Sequence, residues 1–287
     1  MTSVTSADIA LPARPAPELR FRRDIRLVPS LREIWRSREL LRTLAERDYR
    51  VRYKQAVLGF AWAVLTPLAL MVVFTLFFQK VAHVPHGNVP YPLFAYLGLL
   101  PWTFLSNSLN QGGLSLVNNV PLLNKVYCPR EVFPLGSMCV AALDTTISMT
   151  GLVLLFAVFH RLPQVTTLWL PVLLTVQVAW TLGLTLVASI VIVYLRDVRY
   201  ALPVVLQLGL FATPVAYGLD RIPVHLRGLY VTLNPLAAVI DGYRRTVLFG
   251  QAPQWRQLGL AATTAFLTLG LGYWMFKKLE AGIADVA

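Results

Sequence analysis

A group of cationic and aromatic side chains stands immediately ahead of the first long apolar run of the chain. Residues 47–67 read RDYRVRYKQAVLGFAWAVLTP. Guanidinium, ammonium and phenol groups come first, a Leu-Gly pair follows, and a hydrophobic segment begins after it. Cations at the edge of such a segment lie where lipid phosphates lie, at the boundary of the hydrocarbon. The pattern predicts a membrane protein whose basic end faces the cytoplasm.

A row of amide side chains occupies the second apolar run. Asn107, Gln111 and Asn118 recur at helical spacing, and Asn110 and Ser115 flank them. Because amides facing lipid would be costly, the row must face protein or water. It either joins helices by hydrogen bonds or lines a polar conduit whose neutral donors and acceptors suit hydroxyl-rich cargo. Nearby rings either stack on sugar faces or form an interfacial belt. These rings are Tyr91, Phe94, Tyr96, Trp102 and Phe104.

Asp144 is the only carboxylate well within an apolar run. Thr145, Thr146 and Ser148 surround it. Intramembrane acids are costly and often functional, so Asp144 either couples transport to a proton or ion or forms a hydrogen-bonded helix contact.

The sequence lacks the motifs of an enzyme. No GxxxxGK[ST] phosphate loop occurs, and no pair of acids lies within an apolar run. A membrane enzyme acting on polyprenyl phosphate would need acids or histidines gathered at one interface, which Asp48 and Asp197 do not provide. Cys128 and Cys139 have no metal-ligand or redox spacing, so we expect free thiols and no metal. The chain is expected to transport rather than catalyse, with no cofactor of its own.

Composition also indicates a membrane protein. Of 287 residues, 56% are hydrophobic and 14% are charged, whereas soluble domains carry about 25% charged residues. The formal net charge of +12 does not indicate nucleic-acid binding, because half of the Lys and Arg residues precede Gly59. That distribution fits anionic lipid better. We expect a disordered leader over 1–29, an amphipathic interface helix with a basic collar over 30–56, and a transmembrane domain over 57–287.

Six apolar runs are long enough to span a membrane, which takes about 20 residues. They are Gly59–Phe78, Leu93–Val117, Leu135–Phe159, Leu168–Leu195, Ala201–Tyr217 and Leu258–Phe276. Pro101 predicts that the second run begins as a separate interfacial piece. The predicted fold is therefore an all-α polytopic membrane protein with six transmembrane helices.

The short connections carry most of their Lys and Arg on one side. These residues are Lys125, Arg130, Arg196, Arg199, Lys277 and Lys278. The positive-inside rule places this side, and both termini, in the cytoplasm. The basic segment Gly218–Arg256 breaks the rule. Within it, Pro235–Leu248 is too short and charged to span, so the segment is either a re-entrant or interfacial helical pair or a structured external loop.

Two further segments suit contacts on the cytoplasmic side. Residues 31–49 place Leu31, Ile34, Trp35, Leu41, Leu44 and Ala45 on one helical stripe. This stripe predicts an amphipathic helix that lies in the membrane interface or packs on a soluble partner. The connection Val120–Pro134 contains a short amphipathic segment, suited to receive energy from a cytoplasmic partner.

Several segments, taken in order, resemble the membrane subunits of type-2 ABC exporters that move lipid-linked polysaccharides. They are RVRYKQAVLGFAWAVLTP, VPYPLFAYLGLLPWTFLSNS, NKVYCPREVFPL, YLRDVRYALPVVLQLGLFATPVAY and LNPLAAVIDGYRRTVLFG, which cover most of residues 45–250. The resemblance implies a homodimer in the bacterial inner membrane, whose interface encloses a conduit built mainly from the first, second and fifth spans. It also implies two cytoplasmic ATPase subunits, which would bind ATP and Mg²⁺, and a lipid-linked glycan as cargo.

The resemblance assigns roles to four groups of residues. The mouth for a pyrophosphate-bearing head group comprises Arg47, Arg50, Arg52, Tyr53, Lys54, Leu58 and Gly59. The channel lining comprises Trp62, Phe94, Trp102, Phe104, Asn107, Asn110, Gln111, Asn118 and Gln207. Coupling to the ATPase involves Leu122, Asn124, Lys125, Tyr127, Arg130 and Glu131. The outer gate comprises Asn234, Pro235, Tyr243 and Arg244. The competing hypothesis is an ion-coupled secondary transporter that uses Asp144.

Overall fold

The computed structural model of the protein describes residues 33, 35–54, 58–81, 88–123 and 128–282, and all regular elements in these ranges are helices. In chain order they are α1 (Arg38–Tyr53), α2 (Ala61–Phe74, continued by a π-helix over Thr75–Val81), α3 (Tyr91–Asn118), α4 (Val120–Leu123), α5 (Val132–Val158), α6 (Leu170–Tyr194, preceded by a 3₁₀ turn over Val165–Trp169), α7 (Val198–Ala212), α8 (Val224–Leu233), α9 (Pro235–Val247) and α10 (Trp255–Leu279). Single 3₁₀ turns cover Leu219–Arg221 and Glu280–Gly282. The leader expected over 1–29 lies outside the described residues.

Helix α3 is the centre of the bundle and packs against α2, α5, α6, α7 and α9. It continues unbroken through the buried Pro101, so the prediction of a separate interfacial piece before this residue is wrong. Proline is tolerated inside a membrane helix where neighbouring helices and local adjustments satisfy the freed backbone groups. The Gln177 amide of α6 also donates to the carbonyl of Pro101 itself over 3.5 Å, a contact that joins α3 to α6 at this point.

Helices α6 and α10 pack backbone to backbone. A Cβ placed on Gly183 would lie 2.8 Å from the backbone nitrogen of Leu269, and one on Gly272 would lie 2.6 Å from the carbonyl oxygen of Gly183. Small residues at such crossings let membrane helices approach closely, which strengthens their van der Waals contact.

Within the described ranges, four helical stretches are long and apolar enough to cross a membrane. They are Ala61–Gln79, Val132–Val158, Val165–Tyr194 and Trp255–Leu279. Their outer surfaces expose large apolar side chains such as Val153, Leu154 and Leu267, which suits a hydrocarbon solvent. The chain is therefore a multi-pass helical membrane protein.

The second and fifth expected spans correspond to α3 and α7. Helix α3 has 28 residues and the length to span, but its amide row makes it less apolar. Helix α7 has 15 residues and ends at Ala212 rather than Tyr217, because the chain becomes extended at Thr213, the residue before Pro214.

The basic connections gather at one end of the bundle. There Arg47 donates to the Asn119 side chain over 2.7 Å, and Arg130 donates to the Glu280 carbonyl. The Tyr194 hydroxyl donates to the Leu279 carbonyl over 2.8 Å at the same end. This grouping agrees with the distribution of Lys and Arg that the sequence assigns to one side.

Helix α1 packs on α5 through part of its expected apolar stripe. Leu44 and Ala45 are buried, whereas Trp35 is 70% exposed and does not share their contacts. Leu31 and Ile34 lie outside the described residues. Between α7 and α10, two consecutive helices, α8 and α9, occupy the segment expected to form a helical pair, and most of α9 is buried.

Candidate substrate-binding region

An ion pair joins the end of α1 to the middle of α5. The Arg52 guanidinium donates to Asp144, and the Tyr53 hydroxyl donates to the same carboxylate over 2.7 Å. Asp144 is 3% exposed, so these two residues rather than water satisfy its charge. Burial, and then the hydrogen bond to Asp144, raise the pKa of Tyr53 to about 12. Its hydroxyl therefore stays protonated and donates at neutral pH.

The connection from α1 to α2 is bound to α5 on both sides. Four residues after Asp144, the Ser148 hydroxyl donates to the carbonyl of Ala63 over 2.6 Å. Gly59, which lies before Ala63, has a φ of 49°, a conformation that glycine adopts without a steric penalty. The Leu58-Gly59 pair therefore lies on a turn between two attachment points. The residues before it bind Asp144 and Ala63 after it binds Ser148, one helical turn further along α5.

The other cations of the basic collar are more open to solvent. Arg47 pairs with Asp48 over 2.7 Å. The Arg50 side chain is 78% exposed, and its ion-pair contact is to Glu46 at 3.9 Å. Lys54 is exposed and forms no ion pair with any described residue. Arg50 and Lys54 are therefore the collar cations most available to an external anion.

A cavity of about 300 Å³ with a mixed polar and apolar lining, called the polar cavity below, opens beside the Arg52–Asp144 pair. Its wall combines residues of α1, α3 and α5 with the first part of α2. These residues are Arg52, Tyr53, Trp62, Ala63, Thr66, Pro67, Thr103, Asn107, Asp144 and Ser148. The structure thus brings two residues of the predicted head-group mouth together with two of the predicted channel lining.

The predicted amide row lies on a face of α3 that its neighbours leave partly open. Asn107, Asn110 and Gln111 are half-buried and Asn118 is exposed. The Asn110 amide donates to Ser106 over 3.4 Å.

Helices α2 and α7 both pack against α3, and α2 borders the polar face at Asn107. Helix α7 packs beside α3, since a Cβ on Gly113 would lie 3.3 Å from Leu202. Helices α2 and α7 approach one another where the Phe74 and Phe211 ring centroids are 6.4 Å apart. Gln207 is exposed on α7 and Trp62 is exposed on α2. These two predicted lining residues therefore belong to the helices beside the polar face.

The other three aromatic residues expected in the lining lie elsewhere. The Phe94 ring forms a cation–π contact with the Arg244 guanidinium, whose central carbon is 3.6 Å from the ring centroid. Trp102 packs over Gly209 of α7. Phe104 borders a mainly apolar cavity of about 440 Å³ between α3, α5, α6 and α9. All three are buried, so the structure does not place them on the open face with the amides.

Two of the predicted coupling residues, Arg130 and Glu131, bind the end of α10 and the turn that follows it. Glu131 is buried and pairs with Lys277, while Arg130 bonds the Glu280 carbonyl. Leu122 is half-buried in α4. Asn124, Lys125 and Tyr127 lie outside the described residues. In the same connection, burial raises the pKa of the Cys128 thiol, which disfavours the reactive thiolate.

The predicted outer-gate residues hold the non-helical segment after α7. Arg244 is 2% exposed and donates to the carbonyls of Pro214 (2.8 Å), Tyr217 (2.9 Å) and Phe94 (3.2 Å). The Asn234 amide donates to the Thr213 hydroxyl over 2.9 Å.

The other two gate residues lie on α9, as Arg244 does. Pro235 is its first residue, where a missing N–H costs no helical hydrogen bond. The Tyr243 hydroxyl donates to Gln177 of α6 over 2.6 Å. The four predicted residues thus lie close together in the chain but contact different elements.

Sequence reasoning missed the connection between Asp144 and the basic collar. It leaves Asp144 either as an ion-coupling group or as a hydrogen-bonded helix contact, and it places neither Arg52 beside Asp144 nor Ser148 beside Ala63. A usable signal was present, because a buried carboxylate requires a cation, and Arg52 lies near the start of the first apolar run. No comparable signal marked Thr66 or Thr103 as cavity residues.

These features define a class: a polytopic helical membrane protein with a polar face between apolar helices and a cationic collar at one end. The chain belongs to the ABC-2 type transporter membrane family, whose pattern it matches over residues 39–248.

Relatives of known role agree with this assignment. The O-antigen export system permease protein RfbA of Myxococcus xanthus is 32% identical over 263 residues, covering 91% of this chain and 99% of the relative. RfbA of Klebsiella pneumoniae is 27% identical over 249 residues, covering 86% and 95%. The polysialic acid transport protein KpsM of Escherichia coli is 25% identical over 243 residues, covering 82% and 91%.

Proposed function

We propose that this chain is the permease subunit of an ATP-driven exporter that moves a lipid-linked polysaccharide from the cytoplasm across the bacterial inner membrane. Its family and the export roles named for its relatives support the proposal. The observation that carries most weight is the open polar face of α3. Amide and hydroxyl groups there offer neutral donors and acceptors to a hydroxyl-rich chain.

The functional unit in this proposal is a homodimer. A polar face cannot be left against lipid without a large desolvation cost, yet α3 leaves its face open between α2 and α7. The flanking helices expose apolar residues such as Val72, Val73, Val204 and Leu208. A second copy packed on these helices would bury their apolar faces and close the polar groove into a conduit.

The proposed topology has six spans, α2, α3, α5, α6, α7 and α10, with both termini in the cytoplasm. Helix α1 lies in the cytoplasmic interface, and α8 with α9 forms a re-entrant pair near the outer gate. The positive-inside rule supports this orientation, because the basic collar, the start of α5 and the end of α10 lie at the same end of the bundle, where Lys and Arg are concentrated. In this arrangement Arg244 and Asn234 brace the backbone beside the outer opening.

Energy would come from two cytoplasmic ATPase subunits that bind ATP and Mg²⁺. We assign the Val120–Pro134 connection as their contact. Arg130 and Glu131 attach the end of this connection to α10, so a movement imposed there would be transmitted to a spanning helix. The permease itself performs no catalysis.

The phosphate of the cargo would bind at the basic collar, beside the α1–α2 turn. Arg50 and Lys54 supply exposed cations for this contact. The ion-coupled alternative has less support, because Asp144 is already bound by Arg52 and Tyr53.

Co-purification tests the proposal. The tagged chain, extracted from its own host in mild detergent, should retain a stoichiometric ATPase subunit. Substituting Leu122 by Asp should reduce its ATP hydrolysis without releasing the permease from the membrane. A clean preparation without an ATPase subunit would count against the proposal.

A further inference from the structure

We propose that the polar cavity between α1, α2, α3 and α5 binds the first sugar ring of the cargo, while its phosphate binds outside the cavity. The inference rests on the proposed export function and divides the head-group site into two parts. One part is a cavity without net charge, and the other is a cationic rim formed by Arg50 and Lys54.

The charge of the cavity argues against phosphate inside it. Arg52 is neutralised by Asp144, so the charges of this pair cancel. A phosphate that entered would lie close to the Asp144 carboxylate, and like charges repel strongly in a partly buried site. The more available positive charge lies instead on two exposed residues nearby in the chain, Lys54 and Arg50, whose contact to Glu46 is 3.9 Å long.

The groups that remain free in the cavity suit sugar hydroxyls. The Asn107 amide hydrogen-bonds no other described residue and offers both a donor and an acceptor. The Thr66 and Thr103 hydroxyls give their hydrogens to the carbonyls of Trp62 (2.9 Å) and Leu99 (2.8 Å). Their oxygens therefore remain as acceptors.

An aromatic surface completes this set of groups. Trp62 lines the cavity and is 53% exposed. Its indole offers an apolar face of the kind on which the C–H face of a pyranose ring packs. An amide, hydroxyl oxygens and an exposed indole together suit a polyhydroxylated ring.

The size of the cavity restricts the ligand. Its volume of about 300 Å³ lies at the lower end of the range of ligand pockets, about 300–1,000 Å³. It therefore fits a single ring and not a folded stretch of polymer. The larger cavity beside Phe104 is lined mainly by apolar side chains and offers few partners for hydroxyl groups.

The test compares two probes on the intact complex of permease and ATPase in lipid nanodiscs. One probe is undecaprenyl diphosphate, and the other is the same lipid diphosphate carrying one N-acetylglucosamine. Equilibrium binding of both probes is measured for the wild type and for Asn107→Leu. Thr103→Val is a second, nearly isosteric variant, in case the first perturbs folding.

The expected result is selective. Asn107→Leu and Thr103→Val should weaken binding of the sugar-bearing probe about three- to tenfold, as expected for the loss of one or two hydrogen bonds. Binding of the bare diphosphate should not change. Lys54→Gln should weaken both probes equally, and Asn88→Leu, a matched change at the other end of the bundle, should weaken neither.

Two results would overturn the inference. Both cavity variants could bind the sugar-bearing probe as tightly as the wild type, or they could lose both probes to the same extent. Failure of the proposed function would look different, because the wild-type complex would then bind neither probe or would contain no ATPase.

Discussion

Arg244 is a buried cation that serves as a backbone clamp. It donates to four carbonyls, those of Phe94 and of Pro214, Val215 and Tyr217 in the segment after α7, and its central carbon lies 3.6 Å from the Phe94 ring centroid. Guanidinium suits this role because its donors form a fixed planar fork, which an ammonium cannot reproduce. The segment from Thr213 to Tyr217 has left the helix, so its carbonyls need such a donor.

Replacing Arg244 by Met should therefore destabilise the protein by about 3 kcal/mol or more, because several buried carbonyls lose their donor. Thermal unfolding in detergent measures this as a lower midpoint. Arg256→Met is the control, since Arg256 is exposed and forms no ion pair with any described residue. Equal midpoints for the two variants would contradict the role assigned to Arg244.

Asp144 separates the ATP-driven hypothesis from the ion-coupled one. Asp144→Asn removes the carboxylate that neutralises Arg52, so the thermal midpoint should fall, and Arg52→Gln in the same background should restore part of it. Export should be reduced but should remain ATP-driven. An ion-coupled carrier would instead lose transport completely, while the exposed control Asp197→Asn would leave it intact.

Helix packing depends on small residues where α6 meets α10. Gly183→Val would push a side chain into the backbone of Leu269, at a cost of about 1–3 kcal/mol for overpacking. Gly270→Val is the matched control on α10, because no atom lies within 4 Å of a Cβ built at Gly270. We expect a lower unfolding midpoint for the first variant alone, and the same decrease in both would contradict the packing argument.

The positions of most helices follow from hydropathy, but their ends and contacts do not. The runs predicted at Leu135–Phe159 and Leu258–Phe276 are observed as Val132–Val158 and Trp255–Leu279. The continuous course of α3 through Pro101 depends on surrounding helices, which a local pattern does not reveal.

The candidate site was also only partly predictable, because a sequence pattern reveals local spacing but not contacts between distant helices. Helical spacing correctly grouped the α3 amides, because that period is local. The pairing of Arg52 with Asp144 joins residues 92 positions apart and depends on how α1 packs on α5. The burial of Phe94 likewise depends on Arg244, 150 positions later.

For the assembled protein, the proposed dimer predicts which apolar faces meet a partner. The native Cys128 and Cys139 are first replaced by Ser. Two separate variants then each carry one new cysteine, at Val73 on α2 or at Leu208 on α7. Because the conduit requires α2 and α7 to border the second copy, oxidation should yield a dimer-sized band. Cysteines at Leu154 and Leu267, on the exposed surfaces of α5 and α10, should not yield it. The reverse pattern would contradict the proposed interface.

The most direct test of the central claim is transfer of lipid-linked glycan across inverted inner-membrane vesicles that contain the permease and its ATPase. ATP-driven export requires that glycan reach the vesicle lumen only with hydrolysable ATP and an active ATPase, and that ionophores do not stop it. Transfer that continues with an inactive ATPase, or that ends when ion gradients are dissipated, would contradict it.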